Sequence, residues 1–448
     1  VKSCSFRFFH LEEKIVDTSA IHLPHVPALQ IAGTVCFALA VLHTFAAKPI
    51  AAFRHRFAEG SGLNNLFHYL GEVEVVFGFW AFLFLLLASG VVGLTPSVAY
   101  LDTVSYAEPV FVFCIMCIAS TEPILAATRS IISLVGKALT KATSIPTNLT
   151  EFFSILTIGP VLGSFITEPA AMTVSAILVK DFLDARGASS KFKYAVLGLL
   201  FVNISIGGVF TTYAAPPVIM VASKFGWDNL FMAQNFGIKA AISILLCTLV
   251  TTILFHKDIA LRPESATDTK RKMPLWMILS HIAFMALIVV YHKHIPFFLG
   301  LFLLFLGFTE VTQEHQSPLK LRESLLVGFF LAGLVTLGNM QAWWLQDAIA
   351  KMDNFVLFTG TTLLTAVTDN AALTYLGGLV PTLSETAKYM LVAGAVVGGG
   401  LTVIANAPNP AGYGILRSSF GEDGISPLYL FLGAVPPTVV AFLLFGFA

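Results

Sequence analysis

Charge is what this sequence has least of. Only 12% of its 448 residues are Asp, Glu, Lys or Arg, against about 25% in soluble domains. What charge there is balances at 26 basic and 26 acidic residues, so no net field draws the chain to nucleic acid. Cysteines number five, at positions 4, 36, 114, 117 and 247. Most sit in apolar runs, where a disulfide framework has no purpose. Cys114-x-x-Cys117 reads as packing rather than as a metal or redox pair. No His-Glu-x-x-His, Ser/His/Asp array or P-loop occurs, and no long polar stretch could hold a soluble catalytic domain. The expectation is a non-enzyme without a cofactor. A cleavable signal peptide is not evident before the first apolar run, where the tail carries six His and acidic residues. Opening on Val rather than Met fits an alternative start codon or a truncated sequence, and the residues do not separate the two.

In place of charge the chain has 56% hydrophobic residues, 40 Phe and a mean hydropathy of +0.82. So much apolar surface arriving in long blocks, such as 75–94, specifies an all-α polytopic membrane protein. Blocks of about 20 residues predict ten transmembrane helices near 27–47, 71–95, 108–134, 194–222, 236–256, 275–292, 295–312, 324–345, 388–412 and 426–447. Two further stretches, 151–179 and 354–380, are too short to cross twice and are interrupted midway by polar residues. Arms of about 14 residues reach about 20 Å, past the middle of a core of roughly 30 Å. That length predicts re-entrant hairpins.

Basic residues gather in cytoplasmic loops. With both hairpins re-entrant and the first short loop inside, 17 Lys and Arg fall inside, including Lys180, Lys191, Arg262, Lys320 and Arg322. Only 7 fall outside, and Arg129 and Lys239 lie within spans. Counting either hairpin as a full crossing destroys the bias. The first hairpin then enters from the cytoplasm and the second from the opposite face.

The hairpins match each other. Thr167-Glu168-Pro169-Ala170-Ala171-Met172-Thr173 aligns without gaps on Thr368-Asp369-Asn370-Ala371-Ala372-Leu373-Thr374. The following crossings repeat too: Gly207-Gly208-Val209-Phe210-Thr211 with Ala215-Pro216 matches Gly398-Gly399-Gly400-Leu401-Thr402 with Ala407-Pro408. Five crossings and one hairpin in each half make a 5+5 inverted-topology repeat, an architecture of secondary transporters. The predicted organisation is a tail at 1–26, a first repeat at 27–256, a basic cytoplasmic linker at 257–274 and a second repeat at 275–448.

A helix broken in lipid survives only where its freed backbone groups are satisfied. Thr167 or Glu168 can cap the second arm of the first hairpin, with Pro169 at the first helical position, and Thr368 or Asp369 can do the same in the other half. Gly pairs allow close backbone approach, and Asn203, Asn406 and Asn409 add neutral oxygens beside the breaks. Capping and packing are the plain alternative for all of these. For the carboxylates it is weaker, because Asp or Glu in mid-bilayer faces a cavity or pathway as a rule. Glu168 and Asp369 are therefore candidate sodium ligands and proton carriers. Glu122, in Ser120-Thr121-Glu122-Pro123, is a candidate proton relay. Glu72 and Glu74 read as interfacial, and His43 and His281 as structural.

The paired hairpins, the Thr-Asp-Asn-Ala-Ala-Leu-Thr tip and the Gly-Gly-Gly-Leu-Thr-x-x-Ala-Asn-Ala-Pro break resemble the ion transporter superfamily. That group includes sodium/proton antiporters of the B and D types, arsenite permeases and divalent-anion/sodium symporters. Within it the chain is most similar to a sodium/proton antiporter family. The resemblance covers about residues 70 to 448 by layout, with specific motifs only at hairpins and breaks. It implies a scaffold domain that carries homodimer contacts and a transport domain that moves by an elevator-type displacement. Carboxylate-transporting members resemble one another in neutral Ser-Asn-Thr tips, whereas Glu168 and Asp369 put negative charge there, which would repel a dicarboxylate and attract a cation.

The expected function is secondary-active sodium/proton exchange in a bilayer, expected to be a bacterial inner (plasma) membrane. Sodium or lithium would bind through Asp369, Asn370 and Asn406 in one half and Glu168, Thr167 and Thr211 in the other, with Asn203, Thr368 and Thr402 nearby. One or both carboxylates would release protons when the cation binds. The alternative is a sodium- or proton-coupled anion transporter, with Arg129 or Arg417 as the anion's partner. A channel is a third class, which single-channel conductance would reveal.

Overall fold

The computed structural model describes residues 23–262, 273–349, 351–421 and 424–447; most of the expected tail and of the 257–274 linker lie outside these. Every regular element among the described residues is helical. In order these are α1 (Pro27–Phe53), α2 (Gly62–Leu70), α3 (Val76–Val92), α4 (Leu94–Asp102), α5 (Ala107–Ala119), α6 (Glu122–Thr143), α7 (Thr147–Ile166), α8 (Glu168–Leu183), α9 (Ser190–Gly207), α10 (Pro216–Phe225) and α11 (Asn229–Met232). The rest are α12 (Ile238–Leu254), α13 (His256–Ala260), α14 (Leu275–Val290), α15 (Ile295–Val311), α16 (Leu321–Gly338), α17 (Ala342–Ile349), α18 (Asn354–Thr365), α19 (Asn370–Gly377), α20 (Glu385–Gly398), α21 (Asn409–Leu416) and α22 (Pro427–Phe447). Among the described residues seven helical segments are long and apolar enough to cross a membrane, or eight if the bent pair α4 and α5, at 61°, forms one span. The protein is an integral, multi-pass membrane protein.

The expected crossings are not all single helices. The stretch 108–134 divides at Ser120 and Thr121 into α5 and α6, 194–222 divides into α9 and α10, and 388–412 divides into α20 and α21. Polar and Gly/Pro residues stand at each division, where the sequence placed its breaks. The 295–312 stretch forms one helix, α15, of 17 residues.

The first hairpin departs from its expected length. Its arms α7 and α8 have 20 and 16 residues, and α7 alone is long enough to cross a membrane. Two charges at the limits of the expected stretch, Glu151 and Lys180, lie inside these helices and are paired. Glu151 meets Arg262 at 2.5 Å and Lys180 meets Asp184 one turn on. The second hairpin, α18 and α19, stays short at 12 and 8 residues.

Packing joins the two similar segments, α7–α10 and α18–α21, in a regular way. Each hairpin's first arm lies on the first part of the following broken helix, α7 on α9 and α18 on α20. Each second arm packs on that helix too, α8 on α9 and α19 on α20, and also reaches the other broken helix, α8 on α21 and α19 on α10. Glycines permit the close approach, since a Cβ on Gly207 would come within 2.5 Å of the Pro160 carbonyl oxygen. One group of polar contacts joins the first turns of α7 and α9, the loop after α8, α13 with the residues after it, and the segment after α21: Asn148 to the Arg262 carbonyl, Asp258 to the Ser189 N–H, and Lys193 to the Ser419 carbonyl. Another joins the last turn of α10 to α19 and the first turn of α12 to α20, with the Lys224 ammonium 4.4 Å from the Tyr375 ring and the Lys239 Nζ 3.0 Å from the Tyr389 hydroxyl.

Candidate ion-binding site

The first hairpin turns at Thr167, a β-branched residue held at φ +73° and ψ 150°. Such a conformation costs of the order of 1–3 kcal/mol and persists only where surroundings impose it. Its hydroxyl is buried without a hydrogen-bond partner and does not cap α8. Pro169, the second residue of α8, has no N–H for a cap to bind. The expected side-chain cap by Thr167 or Glu168 is therefore not what forms; instead the Thr167 carbonyl accepts from the Ala171 N–H.

Glu168 is fully buried. Its Oε2 accepts a 2.8 Å hydrogen bond from Asn406 Nδ2, and its Oε1 has no partner. The carboxylate lies over Gly208, where any Cβ would collide with it. That break is fastened to the hairpin by Ser164, which donates to the Gly207 carbonyl (2.7 Å) and accepts from the Phe210 N–H (2.9 Å).

The second tip is built differently. Asp369 is the N-cap of α19, and its Oδ1 accepts from the Ala371 and Ala372 N–H groups at 2.9 and 3.2 Å. Asn370 donates its N–H to the Ala405 carbonyl, while its fully buried side-chain amide has no partner. That amide lies against Gly399, as Glu168 lies against Gly208. By place in the helix and by its glycine, the counterpart of Glu168 is Asn370. The ungapped alignment pairs Glu168 with Asp369, so the helix starts are offset by one residue.

The remaining expected residues divide by what their polar atoms already do. Thr211 donates to the Ser164 carbonyl (2.6 Å), Thr402 to the Ala366 carbonyl (2.8 Å) and Thr368 to the Leu364 carbonyl of its own arm (2.8 Å). Asn409 Nδ2 bridges the Gly399 and Thr402 carbonyls. Asn203 Nδ2 ties α9 to the Leu156 carbonyl and to Thr248 of α12. Yet Oδ1 of Asn203, Asn406 and Asn409 joins Glu168 Oε1 and Thr167 Oγ1 as buried oxygens without a partner. With Asn370 Oδ1 that makes six such oxygens on the segments that form the two helix breaks; buried polar atoms are nearly all satisfied in native proteins, so this is a candidate place for a hard cation or a proton.

A family model described as Putative Na+/H+ antiporter matches residues 28–448. The chain belongs to this family. No curated protein matches it. Membership accounts for the membrane helices and makes sodium and protons the ions this antiporter-family chain handles, which fits a transporter rather than an enzyme.

A cavity of about 400 Å³ reaches the site, with Asp369, Thr368 and Asn406 in its wall. A second, of about 300 Å³, runs past Ser120 to Pro169 and Thr173 beside the first tip. Both are lined at one side by Glu72 and Glu74, and Lys320, Arg322 and Glu323 stand in the second. The sequence reading placed Glu72 and Glu74 at the interface and gave them no role. Glu72 accepts from Arg322 at 3.1 Å, across 250 positions of chain, which no local pattern could disclose. The acidic pair opening a span was the available signal. Glu122 is ion-paired with Arg129 and lines neither cavity.

Proposed function

We propose that the protein exchanges sodium for protons by alternating access, with Glu168 as the shared binding group. The observation that carries this is the buried pair of Glu168 and Asn406, contributed by opposite halves, in which one oxygen of each side chain has no hydrogen-bond partner. A carboxylate so placed can be neutral with a proton or charge-balanced by a cation, but a cation arriving at Oε1 displaces the proton. Competition for one oxygen couples the two fluxes: a proton leaves Glu168 as sodium binds and returns as sodium departs. Asn370, Asn406 and Thr167 supply neutral oxygens near it. Asp369 lines the approach and attracts the cation.

The ten-crossing, 5+5 inverted arrangement with re-entrant hairpins of opposite entry is part of the same proposal. The reciprocal packing of α8 on α21 and α19 on α10 supports it, as does the joining of the basic loops expected on one face by Arg262, Asp258 and Lys193. Kinship with the wider ion transporter superfamily, a homodimer and an inner-membrane location extend it. Anion transport is disfavoured because Arg129, one of its two proposed partners, is neutralised by Glu122.

The test is transport by purified protein in liposomes. Sodium should dissipate an imposed proton gradient with wild type and fail to do so with Glu168→Gln. Normal exchange in that variant would remove Glu168 from the mechanism. Sodium-stimulated uptake of a labelled carboxylate without proton flux would favour the anion transporter.

A further inference from the structure

Away from the ion site, α9, α12 and α22 enclose a lateral groove of about 580 Å³. Glycine explains its shape. A Cβ on Gly198 would collide with the Gly433 backbone, and one on Gly433 with the Tyr194 carbonyl, so α9 and α22 are pinched together as small residues permit in membranes. Beside the pinch, Pro436 and Pro437 line the wall on α22 and Val250 lines that on α12. The groove faces outward: Val250, Leu254 and Leu432 are 46%, 69% and 53% exposed.

Its polarity is graded along its length. At one end stand Ser190, Lys191, Tyr194 and Tyr429; at the other only apolar groups such as Leu199, Leu246 and Val440. From Ser190 to Leu199 the helix rises about 14 Å, close to half of a hydrocarbon core of about 30 Å. The groove thus spans one leaflet, with Tyr and Lys at the level where such residues meet lipid headgroups. Three basic side chains near this end are engaged, Lys180 with Asp184, Lys193 with the Ser419 carbonyl, and Arg262 with Glu151 and Asp181, while Arg186 and Lys257, which do not line the groove, are exposed and add positive charge at the same level. Of the acidic ones nearby, Asp258 accepts from the Ser189 N–H. Among the described residues Lys191 makes no ion pair, and it is exposed at the rim.

We infer that this groove holds one anionic glycerophospholipid, its acyl chain along α9, α12 and α22 and its phosphate at Lys191. The complementary features are a cation at headgroup height, an apolar trough one leaflet deep and an opening toward the bilayer. This goes beyond the exchange proposal and does not depend on it.

The experiment is native mass spectrometry of protein reconstituted in bilayers of equal phosphatidylglycerol and phosphatidylethanolamine, then released into mild detergent. Wild type should retain about one phosphatidylglycerol per chain in preference to phosphatidylethanolamine. Lys191→Glu should lower that preference about fivefold or more, the effect of one lysine near a membrane surface. Val250→Trp, which fills the trough, should remove the bound lipid of either kind. Equal retention of both lipids by wild type would overturn the inference, as would retention unchanged in both variants. Leu254→Cys crosslinking two chains through this face would overturn it too, by assigning the groove to a second copy. Only monodisperse protein is compared, and Lys191→Gln, a mild surface change, stands in should the Glu variant fail to fold.

Discussion

The two hairpin tips start from nearly the same seven residues and end with different chemistry. At the first, Glu168 is buried, bonded through one oxygen to Asn406 and free at the other. At the second, Asp369 spends one oxygen on two N–H groups of its own helix. A carboxylate that satisfies a helix end is already stabilised by the fold, whereas one with an unpartnered buried oxygen is stabilised fully only by a proton or a cation. Matching residues in a repeat therefore need not share a role, and the first tip is where exchange should be most sensitive.

Several substitutions can break that contrast. Glu168→Gln removes the charge and should reduce sodium-driven proton movement to the level of empty liposomes. Gly208→Ala sets a methyl where the carboxylate lies. Because the methyl would meet a fully buried side chain held by Asn406, melting temperature should fall and apparent sodium affinity should drop about tenfold, the equivalent of roughly 1.4 kcal/mol. Asp369→Ala should cost about 1 kcal/mol of stability through loss of the cap, and Asp369→Asn much less because Asn caps equally well; paired melting curves measure both. The smallest effect is expected at Thr167→Gly. Relief of about 1–3 kcal/mol of strain, offset by about 1 kcal/mol of glycine entropy, should leave melting unchanged or slightly raised. A marked fall would mean that the positive φ is not what constrains the turn.

Much of this was readable in the sequence because breaks in membrane helices need particular residues. Gly207-Gly208 and Gly398-Gly399, each followed by Ala-Pro, marked both broken helices, and the shared seven-residue segment marked the starts of α8 and α19. The offset of helix starts was not readable: Thr167 turns at positive φ and α8 begins at Glu168 itself, whereas Asp369 stays outside α19 as its N-cap, so the tips cap differently despite a gapless alignment. Hairpin length was misjudged because Glu151 and Lys180 looked like boundaries, while both lie inside helices and are paired with Arg262 and Asp184. Glu72 and Glu74 were passed over for a similar reason. Their place on the cavities depends on how α3 and α16 pack, which composition does not encode.

The most direct test of the central claim compares Glu168→Gln with Asp369→Asn in sodium-driven proton exchange, using equal amounts of protein in liposomes. Glu168→Gln should show no exchange at any sodium concentration, while Asp369→Asn should retain exchange with a weaker apparent sodium affinity. Exchange surviving in Glu168→Gln but absent in Asp369→Asn would contradict the account and move the ion-binding carboxylate to the second hairpin.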